Sequence, residues 1–235
     1  MAEETVKGKE HPLSMLANQA LQIFSEMGFE IVTGPELESE WYNFDVLNVP
    51  RDHPARDMQD TFVIKNEKQK VLRTHTTSVT ARSIEKAAKE SRMPCAFISL
   101  GKVFRNEATD ATHEMQFHQI DGAMVGENIS VADMKGILNE FYKKMLGEDI
   151  YLEFRPSFFP FTEPSFELFV KFRGKWLEMG GSGMLHPNVL RNVGLDPAKF
   201  QGFAFGHGFD RIAMVKWGIP DVRLFYQGDL RLNQF

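Results

Sequence analysis

The sequence predicts an α+β fold in which helices flank an antiparallel sheet. Strand-like segments occur in runs with helices at intervals, whereas a parallel fold would show strict alternation of strands and helices. Two long strand-like segments are joined by residues 108–116, a connection that suits antiparallel neighbours. The length of 235 residues suits one large domain, and 43% hydrophobic and 25% charged residues are typical of a globular protein.

The first part of the chain contains two helix signals separated by a strand and a long loop. Apolar residues at three- and four-residue spacing from Leu13 to Met27 predict a helix that Gly28 ends. The run Phe29 to Val32 predicts a strand. Residues 42–62 have little periodicity and two X-Pro steps, which predicts a loop of the length that often carries function. A stretch rich in Ala, Lys and Glu predicts a helix over Ser78 to Glu90.

Strands dominate the rest of the chain. Strand-like segments run from Cys95 to Glu107 and from Phe117 to Val125. A capping box, with Asp133 in place of Glu, opens a helix at Ser130. The last helix is predicted from Phe209 to Trp217. The remaining predicted strands are Ile150 to Phe154, Phe166 to Phe172 and Lys175 to Met179. Glycines cluster at residues 180, 181, 183, 202, 206 and 208.

One face of the two central strands is expected to collect polar side chains, because side chains alternate between the faces of a strand. Arg105 and Glu107 share a face of the first strand. Phe117, Gln119 and Asp121 share a face of the second. Antiparallel pairing would bring the two sets together as a ligand site. A solvent-facing polar stripe with a structural ion pair is the alternative, and the pattern alone does not separate the two interpretations.

A second polar candidate is His75, which lies among four hydroxyl side chains in the segment RTHTTS. Such a cluster could bind an amine, a carboxylate or a phosphate. Alternatively, Thr77 or Ser78 could cap the helix that follows, since hydroxyl side chains are favoured at helix N-caps. Capping explains one hydroxyl group but not the whole cluster.

Two apolar segments are candidates for the rest of a ligand pocket. Phe159 and Phe161 are two residues apart and could hold an aromatic substrate between them, or could belong to the core. The glycine-rich segment 202–208 leads into a helix with Arg211 in its first turn. Glycines allow a ligand to approach the backbone closely, although no Walker lysine follows this segment.

Charge and cysteine content limit the partners of the chain. A net charge of −5 and a pI of about 5.8 argue against an autonomous nucleic-acid binder, which usually carries a basic face. The single cysteine, Cys95, has no neighbouring Cys or His pair, so neither a zinc site nor a disulfide is expected. No apolar stretch reaches the length of a membrane span and the N terminus has no signal core, which predicts a cytoplasmic protein with no membrane partner.

Eight segments carry a family resemblance: YNFDVLNVPRDHPARDMQDTF, LRTHT, FRNEATDATH, FHQ, FRPSFFPFTEPS, HPNVLRNVG, GFAFG and DLRLNQF. In this order they resemble the catalytic α subunits of bacterial-type phenylalanyl-tRNA synthetases, which belong to class II. The resemblance covers nearly everything from His11 to Phe235. No single segment is decisive, but the ordered set is highly specific.

The resemblance implies a six-stranded antiparallel sheet flanked by helices. Residues 11–235 would form one catalytic domain. Residues 1–10 are polar and charged without periodicity, which predicts a linker or a cloning remnant. Three class II motifs are implied: motif 1 around Pro35 at a subunit interface, motif 2 from Phe104 through the returning strand, and motif 3 from Gly206 to Arg211 and the helix after it. The helical hairpin that helps to bind tRNA in this family is absent from the sequence.

By the same resemblance, the catalytic residues are Arg105, Arg211 and His113. Arg105 would bind the α-phosphate of ATP, because arginine suits a bidentate phosphate contact. Glu107 would accept from the adenine amino group, and His113 would reach the terminal phosphates. Phe117 and Arg211 would hold the adenine between them by stacking and a cation–π contact.

The resemblance also implies a metal ligand and an amino-acid site. Glu178 would bind the cofactor Mg²⁺, which usually takes much of its coordination from water and substrate phosphates. The residues expected around the amino and carboxylate groups are His75, Thr77, Gln119 and Asp121. The residues expected along the side chain are Phe159, Phe161, Thr162, Ala204 and Gly206.

The implied reaction joins L-phenylalanine to ATP as phenylalanyl-adenylate and then transfers the amino acid to tRNA(Phe). The implied protein partner is a β subunit in a heterotetramer, and a homodimer through motif 1 is the alternative for the isolated chain. Three residues depart from the family pattern: Thr77 replaces Ser, Asp121 replaces Glu, and Asp210 replaces the Glu of motif 3.

Three other interpretations stay open from the sequence. The first is a related class II enzyme for another amino acid, such as phosphoserine or pyrrolysine; paired Phe159 and Phe161 with a small Ala204 argue against a phosphate-bearing substrate. The second is a synthetase-like paralogue that binds without catalysing, which the intact Arg105 and Glu107 oppose. The third is a trimmed or engineered catalytic core, which fits the missing hairpin.

Overall fold

A seven-stranded sheet forms the centre of the molecule. The computed structural model describes residues 8–56, 60–67, 69–229 and 232. In chain order the strands are β1 (Glu30–Ile31), β2 (Leu37–Ser39), β3 (Lys70–Leu72), β4 (Cys95–Phe104), β5 (Gln116–Gly126), β6 (Tyr151–Phe159), β7 (Thr162–Phe172), β8 (Lys175–Leu185) and β9 (Gln201–Gly208). The order across the sheet is β1-β4-β5-β9-β8-β7-β6, and β2 pairs with β3 in a separate two-stranded sheet.

The strand pairing confirms the predicted antiparallel sheet. Each neighbouring pair from β4 across to β6 is antiparallel, so these six strands correspond to the six that the resemblance implies. The seventh strand, β1, has two residues and pairs in parallel with β4, with Glu30 opposite Phe97 and Ile31 opposite Ile98. The described sheet therefore has one short parallel strand more than expected, at its β4 edge.

The helices agree with the predicted positions, with one addition. They are α1 (Pro12–Glu26), α2 (Thr77–Lys89), α3 (Val131–Leu146), α4 (Pro187–Asn192) and α5 (Phe209–Trp217). The predicted capping box opens α3: the Ser130 hydroxyl accepts from the Asp133 amide at 3.4 Å, and the Asp133 carboxylate accepts from the Ser130 amide at 2.8 Å. Only α4 was not predicted, because six residues are too few to show a helical period.

The two faces of the sheet have different neighbours, and this decides where a ligand can bind. Helices α1, α3 and α5 cover one face, where Phe24 of α1 stacks on Phe205 of β9 with ring centroids 5.5 Å apart. Phe205 is the register partner of Gly122 on β5. Because side chains alternate along a strand, the adjacent residues Asp121 and Gly206 lie on the opposite face. Helix α2 packs on β4 and β5.

The predicted loop over residues 42–62 is confirmed in part, because two short helices interrupt it. A π-helix covers Trp41–Asp45 and a 3-10 helix covers Pro54–Arg56, and the segment buries apolar side chains such as Phe44. A π-helix bonds residues five apart, so its sequence has no 3.6-residue period to detect. Residues 57–59 of this segment lie outside the described residues.

The boundaries of four strands also differ from the prediction. Strand β4 ends at Phe104 rather than at Glu107, because the Asn106 amide donates to the Asp60 carbonyl at 3.1 Å and draws the chain away from the sheet. Strands β6, β7 and β8 are longer than predicted. The glycine clusters lie inside β8 and β9, and at each of these positions except Gly208 a Cβ would lie within 3.0 Å of a neighbouring backbone or side-chain atom.

None of the described helices has the length and apolar character needed to cross a membrane. The division into a linker of residues 1–10 and a catalytic domain of residues 11–235 stays a prediction. Residues 1–7 of that linker lie outside the part of the chain that the structure describes.

Candidate active site

A cavity of about 410 Å³ opens on the sheet face opposite α1 and α3. Strands β5, β8 and β9 contribute to it, together with segment 75–77, the loop that follows β4, the turn between β6 and β7, and the start of α5. Every site residue that the sequence analysis predicted lines this cavity: His75, Thr77, Arg105, Glu107, His113, Phe117, Gln119, Asp121, Phe159, Phe161, Thr162, Glu178, Ala204, Gly206 and Arg211. The structure thus brings together residues from seven separate segments, while their individual roles stay predictions.

Two glycines on β8 and β9 leave room for neighbouring side chains of the cavity. Asp121, Gly206 and Gly181 are register partners in one row across β5, β9 and β8. A Cβ on Gly206 would lie 2.6 Å from Asp121 Oδ1 and 2.9 Å from Gln119 Nε2. A Cβ on Gly181 would lie 2.8 Å from the Phe159 ring. Both positions therefore need glycine because neighbouring side chains already occupy the space.

Asp121 is the buried acid of the cavity, with 1% of its surface exposed. The Thr76 and Thr77 hydroxyls donate to its two carboxylate oxygens at 2.5 Å each. Burial raises the pKa of Asp121 to about 6, although both hydroxyls and the charge of Arg105 act in the opposite direction. The Thr77 hydroxyl therefore holds a carboxylate, and the alternative that it caps α2 is wrong; the N-cap residue of α2 is Thr76, which makes no side-chain capping bond.

Two buried polar atoms beside Asp121 have no hydrogen-bond partner among the described residues. They are Nδ1 of His75 and Oε1 of Gln119. Burial, and to a smaller extent the charge of Arg105, lowers the pKa of His75 to about 4, so the ring is neutral at pH 7. A buried polar group without a partner costs about 1–3 kcal/mol. A ligand with donors and acceptors at this end of the cavity would satisfy both atoms.

Arg105 and Glu107 lie just beyond the end of β4. The Arg105 guanidinium is 5.1 Å from the centroid of the Phe117 ring, and its Nε donates to the Thr74 carbonyl at 3.3 Å. Its Nη1 is 3.9 Å from Glu107 Oε1, and the two side chains are 39% and 37% exposed. Exposed pairs of this kind contribute little to stability. The alternative of a structural ion pair is therefore weak, and the guanidinium fork has donors left for an anion.

Helix α5 carries Arg211 to the cavity wall next to β8. Nη1 of Arg211 donates to the Glu178 carbonyl at 3.3 Å. The preceding residue, Asp210, is buried, and its Oδ2 accepts from the His118 amide at 3.1 Å. Asp210 therefore ties the helix that carries Arg211 to the strand that carries Phe117, the other residue predicted to contact adenine.

Phe159 and Phe161 form one wall of the cavity but not a sandwich. Their rings stack on each other with centroids 5.7 Å apart and planes 5° from parallel. A third ring between them would need about 7 Å, because carbon atoms in contact lie about 3.5–4.0 Å apart. In this arrangement a third ring does not fit between the two, and their contact with an aromatic substrate stays a prediction. Phe159 is the last residue of β6 and Phe161 lies in the turn before β7, so strand alternation does not relate the two side chains.

His113 lies on the exposed loop at the rim of the cavity. Asp110 organises this loop: its Oδ1 accepts from the Thr112 amide at 2.7 Å and from the His113 amide at 2.8 Å. Nδ1 of His113 is 3.0 Å from Asp110 Oδ2. Together these hydrogen bonds hold the pKa of Asp110 well below its ordinary value, and the bond from the Thr112 amide contributes most. The loop thus presents an imidazole with a carboxylate behind it.

Other residues that line the cavity received no binding role in the sequence analysis: Thr112, Glu114, Met179, Gly180, Gly181, Ser182, Phe205, Gly208, Asp210, Met214 and Val222. The glycine clusters were the signal that could have identified the β8 and β9 residues. No local pattern marks Met214 or Val222, which reach the cavity only through the packing of α5 and of the 3-10 helix Val222–Phe225.

Comparison with known proteins agrees with this fold. The family model described as the class II core domain of tRNA synthetases (F) matches residues 1–235, and the chain belongs to this family. It is 50% identical to the phenylalanine–tRNA ligase α subunit of Syntrophobacter fumaroxidans over 97% of this chain and 70% of that protein. The α subunits from Anoxybacillus flavithermus and Bacillus mycoides are 51% and 49% identical, each over 97% of this chain and 69% of the relative. The chain is thus the core of an ATP-using ligase.

Proposed function

We propose that the chain activates L-phenylalanine with ATP as phenylalanyl-adenylate and transfers the amino acid to tRNA(Phe). The observation that carries the proposal is the distribution of polarity within one cavity. Asp121 lies on β5 with the unpaired atoms of His75 and Gln119 beside it, whereas Phe159, stacked on Phe161, lies against Gly181 on β8, two strands away across the same cavity. An α-amino acid with an aromatic side chain has the matching arrangement of charge and apolar surface.

The polar end suits an ammonium group next to a carboxylate. Asp121 and the Oε1 atom of Gln119 are acceptors for the substrate ammonium group. His75 is neutral and can donate one ring proton to the substrate carboxylate without carrying charge. The hydroxyls of Thr76 and Thr77 keep the Asp121 carboxylate in place for this contact.

ATP is proposed to bind on the other side of the substrate carboxylate, beside Arg105. Its adenine would lie between the Phe117 ring and the Arg211 guanidinium, in a stacking and cation–π contact. Glu107 would accept from the adenine amino group, and His113 on the rim loop would reach the terminal phosphates. Arg105 would then hold the α-phosphate, moving away from its present place over Phe117.

The proposed reaction is an in-line displacement at phosphorus. A carboxylate oxygen of phenylalanine attacks the α-phosphorus of ATP, the bond to the β-phosphate oxygen breaks, and pyrophosphate leaves. Arg105 stabilises the charge that develops on the α-phosphoryl oxygens. No enzyme nucleophile takes part, so the work of the chain is positioning and electrostatic stabilisation. In the second step a ribose hydroxyl of the tRNA attacks the activated carbonyl, and AMP leaves.

Mg²⁺ is proposed to enter with the nucleotide, and the donors present fit that mode of binding. Glu178 is an exposed carboxylate on the cavity wall, and the described residues contain no group of three or more potential metal ligands. Mg²⁺ often binds through one or two carboxylates together with substrate phosphates and water. Glu178 would hold the ion, which would neutralise phosphate charge.

The tRNA and the β subunit are proposed as partners of the same chain. A net charge of −5 leaves little attraction for RNA, so another subunit is needed to supply it. Apolar side chains near Pro35 are exposed, Ile31 by 46%, Leu37 by 37% and Trp41 by 46%, which supports a subunit contact through motif 1. That contact is proposed with β, in a heterotetramer, or with a second copy in the isolated chain. We propose a cytoplasmic location.

Replacing Ala204 by Gly tests the amino-acid assignment. Ala204 is 6% exposed, lines the cavity and packs in the same cluster as Phe161. Removing its methyl group should admit para-chlorophenylalanine, which the parent rejects, while phenylalanine binds slightly less well through lost packing. Tyrosine should be rejected by about a hundredfold at most in both proteins. Pyrophosphate-exchange rates with the three amino acids measure this ranking.

Ala123→Gly is the matched control for that substitution. Ala123 is the register partner of Ala204 and is 1% exposed, but it does not line the cavity. The control should lower stability to a similar extent and leave the ranking of the three amino acids unchanged. An unchanged ranking in Ala204→Gly as well would remove Ala204 from the side-chain pocket.

The pH dependence of phenylalanine binding tests the role of Asp121. With a pKa of about 6, its carboxyl group is ionised at pH 7.5 and loses its attraction for ammonium as the pH falls. The dissociation constant should be flat above pH 7 and rise about tenfold per pH unit well below pH 6. His75, with a pKa of about 4, stays neutral throughout. Calorimetric titrations between pH 5 and 8 should give this profile, and Asp121→Asn should flatten it.

The same carboxyl group has the opposite effect on the ligand-free fold. Its folded pKa of about 6 is above the ordinary value of 3.8, so the folded chain holds more protons than the unfolded chain between these values. The contribution of Asp121 to the free energy of unfolding therefore falls as the pH rises through that window.

For the binding experiment, a dissociation constant for phenylalanine that does not change with pH in the parent protein would contradict the proposed contact between Asp121 and the ammonium group.

A further inference from the structure

The backbone of residues 73–77 carries the polar end of the amino-acid site, yet it has no regular secondary structure before α2 begins at Thr77. His75 and Thr77 line the cavity, and the Thr76 hydroxyl holds Asp121. A displacement of this segment by a fraction of an ångström would move all three groups at once. Some structural element must therefore fix the segment in place.

Asn43 holds one side of this segment. Its Nδ2 donates to the Thr74 hydroxyl at 3.1 Å, and its Oδ1 accepts from the Thr74 amide at 3.1 Å. Asn43 is fully buried within the π-helix Trp41–Asp45. This pair of bonds fixes Thr74 but does not reach the sheet.

Arg73 holds the other side and is 4% exposed. Its Nε donates to the Lys102 carbonyl on β4 at 2.7 Å, and its Nη1 donates to the carbonyls of Gly34 at 3.0 Å and Pro35 at 3.4 Å. Its backbone adds two more bonds, donating to the Glu36 carbonyl and accepting from the Phe104 amide, both at 2.9 Å. One side chain and its own peptide groups thus join three segments of the chain.

The absence of an acidic partner distinguishes Arg73 from an ordinary structural arginine. Among the described residues, no carboxylate oxygen lies within 4.0 Å of its guanidinium, and its described side-chain bonds all go to carbonyl groups. Burial lowers its pKa, while the more distant charges of Glu36 and Asp121 raise it. Burying an unpaired guanidinium costs several kcal/mol, so stability alone is a poor reason for placing a cation there.

Gly101 shows how closely the guanidinium fits against the sheet. A Cβ at this position would overlap Nη2 of Arg73 and would lie 3.6 Å from the Thr76 side chain. Gly101 is the register partner of Gln119, which belongs to the amino-acid site. The guanidinium therefore lies against the sheet directly beside the row that binds substrate.

We infer that Arg73 is a positioning residue that sets the 73–77 backbone against β4 and β5, and through it the polar contacts to the substrate amino acid. This inference rests on the proposed function for the identity of that amino acid. The buried side chain of Arg73 also links the amino-acid site to segment 34–36, where motif 1 is expected to meet another subunit. A lysine has one ammonium group in place of the planar fork and cannot reproduce contacts to two separate segments.

The test compares Arg73→Lys with the parent protein in calorimetric titrations of L-phenylalanine and of ATP, each alone. The dissociation constant for phenylalanine should rise at least about tenfold, which corresponds to about 1.4 kcal/mol. That for ATP should rise less than that for phenylalanine, because among the proposed ATP contacts only Arg105 bonds this segment, through the Thr74 carbonyl. Hydrogen–deuterium exchange should show faster exchange in peptides that contain residues 74–77.

Arg82→Lys is the matched control. Arg82 also ties the region before β3 to α2, since its Nε donates to the buried Glu38 at 2.8 Å and its guanidinium lies 3.6 Å from the Tyr42 ring centroid. Its side-chain hydrogen bonds and ion pair in the described structure all go to Glu38, and none goes to residues 73–77 or to β4. The control should lower the melting temperature and leave the ratio of the two dissociation constants and the exchange of 74–77 as in the parent.

Gly101→Ala provides a second route if Arg73→Lys does not fold. It keeps every polar group and displaces the guanidinium by steric contact, so it should give the same selective loss of phenylalanine binding.

Equal changes in the dissociation constants for phenylalanine and ATP, with unchanged exchange at 74–77, would show that Arg73 is only structural. If the parent fails to bind phenylalanine, the proposed function fails, and the exchange comparison still decides the positioning role.

Discussion

Replacing Arg105 by Ala is expected to slow phenylalanine-dependent pyrophosphate exchange by at least about 10²–10³-fold. The substitution removes a preorganised donor to the α-phosphate, and losing one such donor costs about 2.7–4 kcal/mol of transition-state stabilisation. The fold should survive, because the side chain is 39% exposed and its ion pair with Glu107 is long at 3.9 Å. Exchange kinetics, with circular dichroism as the check on folding, measure both effects.

Arg155→Ala is the control for that prediction. Its guanidinium also lies over a phenylalanine ring, 3.8 Å from the Phe169 centroid, but it does not line the cavity. Loss of a cation–π contact alone should therefore leave exchange close to the parent rate. If Arg105→Ala retains exchange within about tenfold, a loss of about 1.4 kcal/mol or less, Arg105 does not act on the transition state.

Replacing Gly206 by Ala is expected to weaken phenylalanine binding by about a hundredfold or more. The added Cβ would lie 2.6 Å from Asp121 Oδ1 and 2.9 Å from Gln119 Nε2, so both side chains must leave their positions. Two polar contacts to the ammonium group are then lost, and each is worth about 1.5–3 kcal/mol when a charged group takes part. Calorimetric titration of phenylalanine, without nucleotide, measures the loss.

Gly208→Ala separates this effect from a general intolerance of β9 to side chains. Gly208 lies two residues further along the same strand, and a Cβ there would meet its nearest atom, the Cβ of Arg211, at an ordinary 3.8 Å. The dissociation constant for phenylalanine should change by about twofold or less, the effect of ~0.5 kcal/mol. Equal losses in the two variants would mean that the contact between Gly206 and Asp121 does not control the site.

The sheet face that carries the site could be predicted because strand alternation survives in the long strand β5. Its period of two places Phe117, Gln119 and Asp121 on one face without knowledge of the rest of the fold. Arg105 and Glu107 line the same cavity as these three residues, as predicted, although β4 ends before both. The reason is that the Arg105 amide still donates to the Met115 carbonyl at 2.9 Å, so the pairing with the returning strand continues locally.

Contacts between distant segments could not be predicted from local pattern. The Thr76 hydroxyl bonds a carboxylate 45 residues further along the chain, and no spacing rule separates that role from helix capping. Phe159 ends β6 and Phe161 lies in the turn before β7, so side-chain alternation does not predict how their rings meet. Similarly, the π-helix that positions Asn43 has no period that a helix or strand template detects.

The glycine clusters could be recognised from sequence but not explained by it. Gly181 and Gly206 are adjacent in the sheet only because β8 pairs with β9, and the atoms that exclude a Cβ belong to Phe159 and to Asp121. The signal for a close approach was therefore present in the sequence. The identity of the approaching groups required the strand order.

The most direct measurement of the central claim is ATP–pyrophosphate exchange with each of the twenty amino acids in turn. The cavity should support exchange fastest with L-phenylalanine, with tyrosine slower by up to about a hundredfold, since an apolar pocket rejects an added hydroxyl only to that extent. Amino acids that lack an aromatic ring should give still lower rates, because they leave the wall of Phe159 and Phe161 unfilled. A faster rate with any other amino acid, or no exchange with all twenty, would contradict the account.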